Sequence, residues 1–445
     1  MTRFQIRFFI STILYTVCVE FSYKGFLFPQ FAYFGYLLGD ASLWEILYSH
    51  FLIYISAFQI SRLKHAISDL YLLLIYLLIY VPTLIYINYI RGMSSLTIFL
   101  YKSTMFFGFF ISVNLIKRPR VSFLSNKKLE LPNFFPALSF LAIGITAYLY
   151  LRYRSYFSFV SFGNVYQKRN SFKFGGGDGY IYLWLSSFIL PFCLSQAFVK
   201  KKFLNLILIG GCYLVLYGLF SNKISILYIL IFFLFATIDF DKDHYVFSVM
   251  LILSLTMFLI TFGYNILDNG IIELLGSLVL MRTISMPGFL TVQYMRFAES
   301  NPLTYYSHVN VIDAIFNNYP YRNVLGYEVG YFFSNSYNNN ANANFIATDG
   351  VVALGPGGII VAFLMFSILM IVVDSVTTGY SKKFLCLSSL YIIINLLNAS
   401  LFTTFLSGGL LLYLVAFLFF RLDLREYTAQ RRGAVQGDWA ASSRE

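Results

Sequence analysis

The run "VVALGPGGIIVAFLMFSILMIVVD" (351–374) carries no charge before Asp374. As a helix rising 1.5 Å per residue it is long enough to cross the roughly 30 Å hydrocarbon core of a bilayer. Eleven similar stretches surround it: 4–23, 41–61, 69–89, 95–116, 133–151, 179–199, 204–220, 224–239, 246–264, 384–400 and 406–421. In hydrocarbon every backbone polar group needs an internal partner, and a helix supplies one for nearly all of them. The predicted fold is an all-α polytopic membrane protein with about twelve transmembrane helices.

Composition points the same way. Of 445 residues, 58% are hydrophobic and 20% aromatic, while only 12% are charged, against about 25% charged in soluble domains. Disordered, collagenous, coiled-coil and disulfide-stapled classes are excluded. Cys18, Cys193, Cys212 and Cys386 all lie in apolar runs and read as small core residues. Residues 1–432 are expected to form one transmembrane domain. The last stretch, "GAVQGDWAASSRE" (433–445), departs from the Phe/Tyr/Ile-rich composition before it and reads as an appended or disordered tail.

Lys and Arg set the expected orientation. With the N-terminus in the cytoplasm, the inner segments hold Arg3, Arg7, Arg62, Lys64, Lys117, Lys127, Lys200–Lys202, Lys242, Lys382, Lys383 and Arg425. An even number of spans returns the C-terminus to the same side. Two outer loops break the pattern by being basic. The loop 152–178 carries Arg152, Arg154, Lys168, Arg169 and Lys173 against Asp178 alone. The loop 265–350 carries Arg282, Arg296 and Arg322, and long loops of this kind are usually functional. Its segment "IIELLGSLVLMRTISMPGFLTVQYMRF" (271–297) is apolar, with a Pro287-Gly288 break. That pattern predicts two short interfacial helices, or a re-entrant pair, lying on the outer face.

Few chemistries survive this inventory. The histidines His50, His65, His244 and His308 show no ligand spacing, so no metal site and no cofactor are expected. "GGGDG" (175–179) lacks the GK[ST] ending of a phosphate loop, and nothing suggests nucleic acid as a partner. The outer arginines remain. A guanidinium grips phosphate oxygens in a bidentate fork and stays charged when partly buried. Arg282, Arg296, Arg322, Arg152, Arg154 and Arg169 are therefore candidates to hold a bulky anion at the outer interface, and lipid headgroup anchoring is their plain alternative. The most specific stretch is "NNNANANFIATDGVVALGPGGIIVAF" (338–363). Side chains such as Asn342 and Asn344 both donate and accept, as sugar hydroxyls require.

This stretch, with the Phe/Tyr/Ile-rich spans and the late outer loop, resembles the O-antigen or oligosaccharide repeat-unit polymerases of the Wzy type. "NANANFIATDG" carries most of the resemblance. The resemblance implies a GT-C-like, metal-independent glycosyltransferase in the bacterial inner membrane, with both termini cytoplasmic and its active site on the periplasmic face. The substrate so implied is an undecaprenyl-diphosphate-linked oligosaccharide, whose nascent chain passes to a new lipid-linked unit. The implied partners are the bilayer and a chain-length regulator (co-polymerase) membrane protein. Such a reaction needs arginines at the departing diphosphate and a base for the acceptor hydroxyl. His308, Asp313, Glu328 and Asp349 are the candidates for the base, although Asp349 could instead cap a helix and Glu328 could pair with Arg322. Two rival readings stay open. One is an O-antigen ligase, which shares the donor. The other is a flippase for the same lipid-linked unit, disfavoured by the scarcity of charges in mid-span.

Overall fold

The structure is a computed structural model that describes residues 3–61, 67–90, 92–117, 129–130, 134–160, 168, 172, 174–240, 245–267 and 269–421. Arg169, the basic segment 118–128 and the tail 433–445 lie outside these residues. The described residues form seventeen helices. In chain order they are α1 (Arg3–Phe34), α2 (Leu43–Ile60), α3 (Ile67–Tyr89), α4 (Ser95–Ile116), α5 (Phe134–Tyr156), α6 (Asp178–Val199), α7 (Phe203–Phe220), α8 (Lys223–Ala236), α9 (Tyr245–Ile266), α10 (Gly270–Ser300), α11 (Asn310–Phe316), α12 (Leu325–Ser334), α13 (Ile346–Val376), α14 (Lys382–Ser388), α15 (Leu390–Leu396), α16 (Leu401–Leu406) and α17 (Leu410–Phe419). A two-residue parallel bridge joins 129–130 to 420–421.

Among the described residues nine helices are long and apolar enough to cross a membrane: α1, α3–α7, α9, α10 and α13. Eight were expected. The ninth, α10, falls within the expected outer loop. Of the other expected spans, 41–61 forms α2, where Glu45, His50 and Gln59 interrupt the apolar run. The stretch 224–239 yields the short α8, 384–400 divides into α14 and α15, and 406–421 shortens to α17. The chain is thus a multi-pass, all-helical membrane protein, with nine candidate spans among the described residues where twelve were expected.

The helices gather into two compact units. The first contains 1–119, 242–371 and 395–402; the second contains 120–241, 372–394 and 403–445. In the second, α6 packs on α7 and α14, and α7 packs on α5. In the first, α1 packs along α9, α2 along α4, and the C-terminal half of α10 lies between α3 and the start of α13. Helix α3 reads "ISDLYLLLIYLLIYVPTLIYINY" and is buried along its length. A helix apolar on all sides belongs in the middle of a bundle. Its tyrosine hydroxyls find internal partners there: Tyr76 donates to the Ile53 carbonyl (2.9 Å) and Tyr80 pairs with Ser56 Oγ (2.8 Å).

A proline rule governs the shape of several spans. Wide π-type turns occupy Tyr23–Leu27, Tyr76–Tyr80, Leu185–Ile189 and Gly276–Ser285. Each ends two residues before a proline: Pro29, Pro82, Pro191 and Pro287. The proline ring clashes with the carbonyl four residues back and offers no N–H; a wider turn moves that carbonyl aside without ending the helix. The expected division at Pro287-Gly288 therefore does not occur. Residues 270–300 form one helix, and Gly288 lets it meet α3, where a Cβ would stand 2.5 Å from Pro82 Cβ.

Both ends of α10 nevertheless lie at one end of the first unit. Near its start, Gln30 Nε2 donates to Tyr264 Oη (2.7 Å) and reaches Glu273 Oε1 (3.4 Å). At its finish, Glu299 Oε1 accepts from Ser94 N (3.2 Å) and Thr97 Oγ1 (3.0 Å). The connectors after α1 and α3 meet at that same end, where Gly39 N donates to the Tyr89 carbonyl (2.9 Å). So both ends of α10 meet the same end of the unit, although its length and apolarity would suffice for a crossing.

Candidate functional site

The loop after α10 (301–309) folds back on α13. Thr304 N donates to the Val352 carbonyl (2.9 Å) and Tyr305 N to the Ala353 carbonyl (3.1 Å). These carbonyls need outside donors because α13 breaks just beyond them. Leu354 (φ −141°, ψ 19°) and Gly355 (φ 65°, ψ −151°) leave helical geometry, and Pro356 restarts it. The Gly355 conformation is open to almost no other residue. Gly350 and Gly358 sit back to back across the break: a Cβ on Gly358 would stand 2.1 Å from the Gly350 carbonyl oxygen. The spaced glycines therefore make a sharp passage, not merely close packing. Tyr305 (φ 45°) and Tyr306 (φ 66°) both take left-handed backbone angles in the opposing loop, a strain of about 1–2 kcal/mol each.

This geometry joins two of the expected residues. His308 Nε2 lies 3.1 Å from Asp349 Oδ1, with both side chains buried. Oδ1 also accepts from Ser400 Oγ (2.8 Å), and Oδ2 accepts from the Leu401 amide (2.5 Å). Asp349 thus caps the chain at Leu401, not the helix that follows it in sequence. Three hydrogen bonds converge on this one carboxylate, each worth about 1.5–3 kcal/mol. On the other side of the ring, His308 Nδ1 is 2.9 Å from Thr304 Oγ1. With Nε2–H donating to the carboxylate, Nδ1 accepts from the threonine hydroxyl. The result is a hydroxyl–imidazole–carboxylate row. Tyr306 flanks the imidazole at 6.2 Å and Phe402 lies beyond it. Burial, and secondarily the Asp349 charge, push the Tyr306 hydroxyl above its ordinary range, so it is a donor here and not a base.

The other expected residues fall elsewhere. Glu328, in the first turn of α12, accepts from Asn323 N (3.0 Å) and Asn323 Nδ2 (2.7 Å); no Glu328–Arg322 ion pair occurs among the described residues. Asp313 Oδ1 accepts from Tyr319 N (3.2 Å). Asn344 is buried: Nδ2 donates to the Pro287 carbonyl and Thr291 Oγ1 (both 2.8 Å), while Oδ1 accepts from Ile346 N and Ala347 N. Its capacity is filled as a cap tying α13 to α10, which leaves nothing for a sugar. Asn342 is exposed.

Among the arginines, Arg282 is exposed on α10 and close enough to Tyr36 to act on it electrostatically. Arg296 is half-buried. Its Nη1 donates to Gln293 Oε1 (3.0 Å), it lies over Phe332, and its buried Nε has no hydrogen-bond partner among the described residues. Arg282, Ser285, Phe289, Gln293 and Arg296 follow one stripe of α10, and the middle three touch the 35–36 turn. Arg322 is exposed before α12. In the second unit Arg152 is paired to Asp178 (2.8 Å) and donates to Tyr148 Oη (2.7 Å), so the one acid of that loop neutralises it. Arg154 is exposed.

Sequence reasoning missed Thr304, Ser400 and the Leu401 amide, and nothing in "NPLTYYSH" or "NASLF" singles them out. It also missed charge inside the helices, at Glu20, His50 and Lys102. No protein family, no curated protein and no solved structure matches this chain. Fold and site together define a polytopic all-helical membrane protein with a buried imidazole–carboxylate pair at a broken helix.

Proposed function

We propose that this chain polymerises undecaprenyl-diphosphate-linked oligosaccharide units by glycosyl transfer on the periplasmic face, as an O-antigen-type polymerase. The observation that carries this reading is the His308–Asp349 hydrogen bond at the break in α13. In the proposed step the acceptor hydroxyl gives its proton to His308. A C–O bond forms at the anomeric carbon, and the bond to the diphosphate breaks with its electron pair leaving on undecaprenyl diphosphate. Asp349 orients the imidazole and stabilises the imidazolium. For this the acceptor must displace the Thr304 hydroxyl from Nδ1, or pass its proton through it. Arg282 and Arg296 stabilise the departing diphosphate, where preorganised positive charge is worth most. The unpartnered Nε of Arg296 is a donor ready for such an oxygen.

The test is polymer length in cells that lack the native gene and express His308→Gln or Asp349→Asn at equal membrane levels. Both should stop at single repeat units; a normal ladder from either would overturn the assignment. A second reading, a flippase for the same lipid-linked unit, draws support from the half-buried Glu20–His50 pair and the buried Lys102, which lie within helices. The two readings separate by where the substrate accumulates. Loss of a polymerase leaves the lipid-linked unit on the outer side, and loss of a flippase leaves it on the cytoplasmic side.

A further inference from the structure

Away from the α13 break, the first unit contains a second polar cluster, and it lies inside the helices. His50 Nε2 stands 3.2 Å from Glu20 Oε1, and its Nδ1 is 3.5 Å from Tyr54 Oη. The Tyr89 hydroxyl engages both the Glu20 carboxylate and the Lys24 ammonium, and Lys24 lies 5.0 Å over the Tyr89 ring. Adjacent residues continue the row. Ser49 Oγ and Lys102 Nζ meet on Asn88 Oδ1 (3.3 and 2.6 Å), and Lys102 also donates to the Glu45 carbonyl (2.9 Å). His50 and Lys102 each lie seven residues from the start of their helix, about 10 Å in.

Stability alone does not account for such a cluster. Lys102 is buried, and the His50 and Glu20 side chains are 23% and 24% exposed, so desolvation offsets much of the attraction between such groups. Ionisable groups inside membrane helices are rare, and they tend to mark routes for ions or protons. The residues themselves narrow the ligand. Lys24 and Lys102 repel a metal cation, and Glu20 repels an anion. A proton can be taken up by a linked imidazole and carboxylate without a second ion following it. The facing helices add no competing charge: α9 contains no Asp, Glu, Lys, Arg or His, and α3 faces the pair with Tyr89.

We propose that Glu20 and His50 form a proton-binding site where α1 meets α2, and that its occupancy clamps the two helices together. With the proton bound, imidazolium and carboxylate attract across the helix interface. Without it, Glu20 falls back on Lys24 and Tyr89 within its own side of the cluster. The site is independent of the reaction proposed at His308, and either can fail alone.

The experiment uses the full-length protein in lipid nanodiscs with 15N-labelled histidine, titrated between about pH 5 and 9. His50→Asn assigns the signal. Glu20→Gln should weaken proton binding at His50 by about tenfold or more, one unit of pH or 1.36 kcal/mol. Lys24→Ala, which removes a like charge and leaves the pair intact, should tighten it. The thermal midpoint supplies a second readout. Measured at each pH, it reports whether Glu20→Gln and His50→Asn stay folded while the signal is read. A His50 titration unchanged by Glu20→Gln overturns the proposal. Should that variant fail to fold, an unchanged titration in Lys24→Ala overturns it equally.

Discussion

Asp349 concentrates the chemistry of the α13 break in one side chain. Its two oxygens accept from an imidazole, a hydroxyl and an amide while no surface of it is exposed. Asparagine keeps one acceptor but turns an NH₂ group toward a donor. Asp349→Asn should therefore cost at least about 3 kcal/mol of stability, the scale of a broken buried charge network, and polymer formation should fall by more than about 100-fold. Thermal unfolding in detergent and the ladder assay read the two effects. Thr304→Val removes the hydroxyl at nearly constant volume and should cost only about 1 kcal/mol of stability. If its ladder shortens while its melting point barely moves, the hydroxyl serves the imidazole and not the fold. Arg282→Ala should slow polymerisation by roughly 30- to 200-fold, about 2–3 kcal/mol of transition-state stabilisation. Lysine should rescue only part of that loss, since a point charge lacks the guanidinium fork. A normal ladder from Arg282→Ala would remove this arginine from the reaction.

At the scale of elements, α13 is the critical piece, and its glycines are not equivalent. Gly357 has open space where a Cβ would go, whereas Gly358 would place one 2.1 Å from a backbone oxygen. Backbone cannot rotate away as a side-chain tip can. Gly358→Ala should lower stability by about 2–3 kcal/mol or prevent folding, and Gly357→Ala should be neutral or slightly stabilising. Comparing their melting midpoints checks the close passage directly; equal values would refute it. The sequence run of spaced glycines announced a turn or a contact but not which residue made which, because a contact depends on what lies opposite. The prolines at 29, 82, 191 and 287 were equally visible, and only the Pro287-Gly288 pair was read as a break. The structure keeps each helix going through a wide turn, since a span in an apolar setting loses more by exposing backbone groups than by stretching one turn.

For the molecule as a whole, α10 decides how many times the chain crosses. Its ends meet Gln30 and Ser94, which belong to one end of the first unit. Single cysteines at Glu273, Ser300 and the connector residue Asp40, all exposed, should then react with a membrane-impermeant maleimide from the same side in spheroplasts. The four native cysteines are buried and should give little background. Labelling of Glu273→Cys and Ser300→Cys from opposite sides would make α10 a true crossing and reverse the orientation of everything after it.

Composition and the lengths of the apolar runs were sufficient for the class of this protein. Hydrophobic burial and backbone satisfaction are local demands that a 20-residue window displays, so eight of the nine candidate spans could be read directly. The resemblance, with its need for a base, put His308 and Asp349 on one list with Asp313 and Glu328. Other properties required the tertiary structure. Only there do residues 41 positions apart become a hydrogen-bonded pair, with Thr304, Ser400 and the Leu401 amide completing it. Only there is Asn344 a cap, Arg152 neutralised by Asp178, and Glu20 set against His50. These are pairings between helices, and a pairing depends on rotation and register between elements, which a sequence read along one chain does not carry.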